Sequence, residues 1–114
     1  MVTNPYVPDR RDVVWLEFNP QLGHEQRGRR PALVLSYKRY NEKTGLGIFC
    51  PITSKEKGYP FEVKLEGTII RGSVLSDQVK NLDWRIRNIE FIELCEKDVI
   101  AEVVENLKLI IGSE

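Results

Sequence analysis

Until residue 97 the apolar residues of this chain come in short bursts; only beyond it do they recur at the spacing of a helix. Val13–Phe18 ("VVWLEF"), Pro31–Ser36 ("PALVLS"), Leu46–Cys50 ("LGIFC"), Phe61–Leu65 ("FEVKL"), Ile69–Leu75 and Asn88–Cys95 are too short for core helices. They are rich in β-branched and aromatic residues and bounded by Gly, Pro, Asn or charge, which predicts strands. "FEVKL" alternates apolar and polar as a half-exposed strand does, whereas "PALVLS" is apolar almost throughout, as a strand covered on both faces would be. Pro51 is expected to close the third strand, and Tyr37–Thr44 predicts a short helix or turn stopped by Gly45. After residue 97, Val99, Ile100, Val103, Val104, Leu107, Ile110 and Ile111 fall on one helical stripe, with Asp98 in the first turn and Gly112 as a stop. Such a chain is mainly β with appended helices, a small antiparallel barrel or curled sheet with a C-terminal α-helix.

A length of 114 residues suits one domain over 1–114, able to bury a modest core unaided. No apolar run approaches a membrane span, and "MVTNPYVPDRRD" lacks the apolar centre of a signal peptide, so a cytoplasmic protein without membrane contact is expected. Cys50 and Cys95 stand in apolar contexts with no His/Cys cluster nearby, which predicts two core thiols rather than a metal or redox site. Net charge is zero, against a nonspecific nucleic-acid coat, but it is unevenly spread. Ten basic against six acidic residues give 1–60 a charge of +4, while seven against eleven give 61–114 a charge of −4. Arg27–Lys43 holds six basic residues and one acid, Glu42, which suits a bounded anionic ligand as well as a solvated face.

Catalytic templates are absent: there is no GxGxxG, GxxxxGK[ST], HExxH or GxSxG, no metal-ligand spacing, and only one histidine, His24. What remains is phosphate chemistry without metal or cofactor. RNA carries its own nucleophile, the 2′-OH, so a base and fixed cationic donors suffice to cut it. In "GHEQRGRRPALVLS" Glu25 is a candidate base and Arg29 and Arg30 are planar donors matched to phosphate oxygens. Thr53, on the loop after the third strand, offers a neutral hydroxyl. The same Glu25 and Arg30 would equally suit a plain surface ion pair.

"VPDRRDVVWLEFNP", "GHEQRGRRPALVLS", "YNEKTGL", "PITSKEKGYPFEV" and "SDQVKNLDWRIR", in that order over residues 6–111, resemble the MazF/PemK-type toxin endoribonucleases of toxin–antitoxin modules. The resemblance implies an SH3-like β-barrel homodimer, of the architecture shared by MazF and CcdB, that cuts single-stranded mRNA at short motifs without metal. It implies a 2′,3′-cyclic phosphate and a 5′-hydroxyl as products. It further implies a cognate antitoxin with an acidic C-terminal segment, and DNA contact only through the toxin–antitoxin complex. The family's catalytic glutamate, arginine and threonine fall on Glu25, Arg30 and Thr53. Its RNA-binding segments fall on His24, Gln26, Arg29, Asp77, Gln78, Lys80, Arg85 and Arg87, with Arg29 as an electrostatic helper. Leu75 stands where some members carry an arginine, which moves the cationic role onto Arg30.

Glu25 is thus expected as base or orienter, Arg30 as transition-state clamp and candidate proton donor, and Thr53 as phosphate donor. His24 is expected to stack on or bond to RNA rather than catalyse. Trp15 and Trp84 are expected as core or interface aromatics, Tyr59 and Phe61 as barrel packing, and Asn41 as an ordinary surface residue. Two rivals stay open at this point: a non-enzymatic, gyrase-poisoning toxin of the same fold, and an SH3-like module that holds RNA or an acidic peptide without cutting.

Overall fold

The computed structural model describes residues 5–18 and 28–112. Its strands are β1 (Asp12–Glu17), β2 (Arg29–Val34), β3 (Leu46–Thr53), β4 (Glu62–Glu66), β5 (Arg71–Leu75), β6 (Lys80–Asp83) and β7 (Glu90–Leu94). Two α-helices, α1 (Lys38–Thr44) and α2 (Lys97–Ile111), and two 3₁₀ turns, Ser76–Gln78 and Trp84–Ile86, complete them. The strands form one curled sheet in the order β4-β5-β3-β2-β1-β7, with β6 also on β3, and every pairing is antiparallel.

Alternation along β1 and β2 explains their unbroken apolar sequence. Val13 and Leu33 point to one core, with Cys50, Ile52, Val74, Ile100 and Val103. Val14, Leu16, Ala32 and Val34 point to the other, with Phe49, Trp84 and Ile89. Both faces are therefore covered, and each fully buried Val or Leu contributes about 1.5–3 kcal/mol. The first core lies under α2, whose Ile100 and Val103 are buried and whose Val99, Val104 and Leu107 pack partly against it. The predicted stripe continues past the sheet, so Ile110 and Ile111 are 46% and 77% exposed.

Three expected boundaries move for physical reasons. β2 starts at Arg29, because Arg29 and Arg30 pair with Glu17 and Leu16 of β1 through the backbone whatever their side chains do. β3 does not close at Pro51 but runs to Thr53. The Ile48 carbonyl accepts from the Leu35 N–H and its N–H donates to Ser36 Oγ, both on the β2 side, so the odd-numbered Pro51 faces the other edge. There the neighbour changes from β6, ending at Phe49, to β5, starting at Ile52, and no ladder bond is missed. β6 lies within a segment expected as a connector; its "KNLD" has no apolar period, pairs with β3 through the backbone and packs a single apolar side chain, Leu82, against the second core.

α1 ends as expected at Gly45, whose φ of 73° few other residues adopt. Asn41 of α1, expected at the surface, is instead fully buried. Its carboxamide accepts from Ser36 Oγ at 2.5 Å and donates to the carbonyls of Pro8 at 2.7 Å and Ser36 at 3.1 Å. Trp84, buried as expected, donates its indole N–H to the Asn41 carbonyl. The short helix thus ties the N-terminal segment and the Trp84 turn to the sheet. Cys50 and Cys95 are both buried free thiols, and burial pushes Cys50 up to about 12.

The outermost strands of the sheet, β4 and β7, meet through a side chain. The Glu93 carboxylate of β7 accepts the backbone N–H groups of Thr68, Ile69 and Ile70 in the β4–β5 turn, at 2.9–3.2 Å. The curled sheet is closed there by one anion rather than by a strand ladder.

Candidate active site

Arg30 and Thr53 reach one place because of register. The β2–β3 ladder ends at the Ala32–Pro51 pair, so Arg30 and Thr53 each lie two residues beyond it along their strands. Both line a cavity of about 410 Å³ with Pro31, Ile52, Ser54, Ile69, Ile70 and Arg71. Both also line a second cavity of about 220 Å³ with Lys55, Lys57, Tyr59, Glu62, Leu75 and Gln78. They form the ridge between two adjoining hollows at one end of the sheet.

The Arg30 side chain is exposed, and no hydrogen bond or ion pair joins its guanidinium to any of the described residues. Its N–H donors face solvent in a fork that matches phosphate oxygens. Thr53 ends β3 rather than lying beyond it. Its Oγ1 accepts the backbone N–H of Lys55 at 3.1 Å, which fixes the hydroxyl oxygen and leaves its proton to be donated outward.

The other expected site residues divide. Gln78 lines the smaller hollow. Asp77, beside it in the 3₁₀ turn, accepts the Tyr59 hydroxyl at 2.9 Å on both carboxylate oxygens. That hydrogen bond raises the Tyr59 hydroxyl above its ordinary value, so Tyr59 stays a neutral donor. Tyr59 was expected as barrel packing; instead it is 36% exposed and forms part of the hollow's wall. Lys55 and Lys57 were not singled out from the sequence. The available signal was two cations immediately after the Thr53 strand end.

Lys80 is exposed at the start of β6, opposite Phe49 of β3. Arg85 lies against Asp83, donating Nε and Nη2 at 3.2 Å each, and lines a separate hollow with Tyr6, Trp84 and Asn88. Arg29 points away from Arg30. It pairs with Glu90 of β7, and its guanidinium carbon lies 5.9 Å from the Trp15 ring centre. Arg87 donates Nη1 to the carbonyls of Glu17 at 3.0 Å and Phe18 at 2.9 Å, gripping the end of β1.

Glu25, His24 and Gln26 lie outside the described residues. The stem of their loop is described: Phe18 N–H donates to the Gly28 carbonyl at 3.2 Å, and Arg87 holds the Phe18 carbonyl. Gly28 is two residues from Arg30, so the segment bearing Glu25 leaves and returns beside the ridge. Among the described residues no three His, Cys, Asp or Glu side chains cluster as metal ligands, and no helix is long and apolar enough to cross a membrane.

The family described as "PemK-like, MazF-like toxin of type II toxin-antitoxin system" matches residues 9–111. The endoribonuclease toxin MazF of Escherichia coli K12 is 52% identical over 82 residues, covering 72% of this chain and 74% of that protein. Among solved structures, MazF of Deinococcus radiodurans superposes with a TM-score of 0.86 at 52% identity, over 95% of this chain and 99% of that one. The MazE–MazF complex of the same organism gives a TM-score of 0.84 at 46% identity, over 96% and 99%.

Proposed function

This chain belongs to the PemK-like, MazF-like toxins of type II toxin–antitoxin systems and is an endoribonuclease toxin; from that premise we propose that it cuts single-stranded mRNA at the Arg30–Thr53 ridge, without a metal. The observation that carries the reading is the pair of opposed strand ends: an arginine without a partner among the described residues stands across from an anchored hydroxyl, with a hollow on either side. Glu25, from the loop whose stem adjoins Arg30, takes the 2′-OH proton. O2′ attacks the adjacent phosphorus, and charge builds on the non-bridging oxygens. Arg30 and Thr53 donate to those oxygens, where positioned donors are worth about 10²–10³ in rate each. The bond to the 5′-oxygen breaks and that oxygen takes up a proton, leaving a 2′,3′-cyclic phosphate and a 5′-hydroxyl.

Gln78 and Tyr59, with Asp77 bonded to the Tyr59 hydroxyl, line the path of the strand on the smaller hollow's side. His24 and Gln26 contact the RNA, and Lys80 and Arg85 add attraction farther out. Arg29, paired with Glu90, and Arg87, whose Nη1 holds the Glu17 and Phe18 carbonyls, serve the site by holding β7 and the loop stem. The whole of 1–114 acts as one domain, in the cytoplasm. The exposed apolar residues Ile86, Phe91, Leu94 and Leu109 support a homodimer. The solved MazE–MazF complexes support an antitoxin partner, whose acidic segment would meet the cations around Arg30.

Incubating the protein with a long single-stranded RNA in EDTA tests this. Discrete fragments with 5′-hydroxyl ends are expected; RNA left whole overturns the reading and favours a binding module or a gyrase poison.

A further inference from the structure

The larger hollow has a wall that the proposed chemistry leaves unused. Opposite Arg30 and Thr53 it is formed by Ile69, Ile70 and Arg71, at and after the β4–β5 turn. No acid lines this hollow, whereas its cations are two arginines. Arg71 is exposed, and no ion pair or hydrogen bond engages its guanidinium among the described residues. On its other side Arg71 borders a hollow of about 220 Å³ that Glu56 and Glu66 also line, but Glu66, its partner in the β4–β5 register, pairs with Lys64 at 3.2 Å and Glu56 accepts from Ser73 Oγ at 3.5 Å.

The wall is also held in place. Glu93 reaches from β7 and accepts from the Thr68, Ile69 and Ile70 N–H groups, while the Gly67 N–H donates to the Ile70 carbonyl at 3.0 Å. Gly67 is required for this approach, since a Cβ there would stand 2.4 Å from the Glu93 carboxylate and 2.7 Å from the Ile70 carbonyl oxygen. Arg71 therefore leaves a clamped turn and faces a hollow shared with the scissile ridge. Beside it Ile69 is 63% exposed, an apolar surface of the kind a splayed-out base rests on.

We infer that Arg71 binds a second RNA phosphate, next along the strand from the one held by Arg30 and Thr53. A guanidinium with free donors in an acid-free hollow neutralises one phosphate and displaces the counterions condensed on it. The clamped turn sets the spacing of this contact from the ridge, so Arg71 determines how tightly and in which register the strand lies. This rests on the RNA-cutting reading of the ridge.

The test measures cleavage of a cut-site oligonucleotide and binding of its uncleavable 2′-O-methyl form, each across a salt series. For Arg71→Gln the dissociation constant should rise about three- to tenfold, with the loss in KM more than in kcat. The slope of log affinity against log salt should shrink by about 0.7, one single-strand phosphate, and Arg71→Lys should restore it. An unchanged slope and affinity in Arg71→Gln, beside a parent that binds and cuts, overturns this inference and leaves the proposed function standing. A parent that neither binds nor cuts RNA overturns both.

Discussion

At the β7 side of the sheet the arginines are bonded within the protein. Arg29 is paired with Glu90 and lies over Trp15, Arg85 lies against Asp83, and Arg87 grips the Glu17 and Phe18 carbonyls. At the other end, where β3 passes from β6 to β5, Arg30 and Arg71 present guanidinium groups that form no ion pair with the described residues. Arg29 and Arg30 are adjacent in sequence, and alternation along β2 sends them to opposite faces. A guanidinium already donating to carbonyls or carboxylates must break those bonds before it can hold a phosphate; an open one need not. The difference separates arginines already bonded to protein groups from arginines open to a ligand, and charge counts along the sequence cannot make that distinction.

The sharpest way to break the comparison is at Arg30. Arg30→Ala should slow RNA cutting by about 10²–10³ while leaving the thermal midpoint within about 2 °C, because no contact among the described residues is lost. Single-turnover fragment formation beside a thermal melt measures both, and a parental rate would end the mechanism. Arg87→Ala should behave in the reverse way. Removing donors from two carbonyls at the end of β1 should cost about 1–3 kcal/mol in urea unfolding, and the salt dependence of RNA binding should not change. A flatter salt slope in that variant would move Arg87 into the open class.

A smaller effect concerns Asp12, the one buried acid among the described residues. Asp12 accepts from the Tyr6 hydroxyl at 2.5 Å and the Asp9 N–H at 3.0 Å, yet burial raises its carboxyl above the ordinary aspartate value. A folded-state value above the unfolded one means that ionisation costs the native state more than the unfolded chain. Its contribution is therefore fullest below the ordinary aspartate range and is lost as pH rises through the raised value. Between about pH 4 and pH 7 the parent should lose stability relative to Asp12→Asn, by urea unfolding at each pH. A difference that stays flat, or moves in the parent's favour, contradicts that placement of Asp12.

Much of the fold was legible because burial and period agree in it. The doubly covered β2, the alternating β4 and the helix running to Gly112 all follow from apolar spacing, which tertiary contacts reinforce. What escaped was fixed by backbone or by distant partners. β6 has no apolar period because backbone N–H and C=O groups pair it with β3 and only Leu82 packs against the core. Asn41 is polar yet central, because its carboxamide satisfies Ser36 and a carbonyl 33 positions away in sequence. At the site, Arg30 and Thr53 could be picked for their chemistry, and register brings them together. The Tyr59–Asp77 bond spans 18 positions, and the Glu93 clamp on the β4–β5 turn spans up to 25; no local pattern announces either. The separation of Arg29 from Arg30 could be foreseen only by knowing that both lie within a strand.

The bond from Phe18 to Gly28 and the Arg87 grip on the Phe18 carbonyl have a consequence for how such a chain can diversify. A segment whose two ends are fastened to the scaffold can be exchanged or lengthened without disturbing the strands on either side. Each doubling of its length adds only about 0.6 kcal/mol of closure entropy. Changes of sequence between those ends that keep Glu25 leave the pairing of β1 with β2 in place.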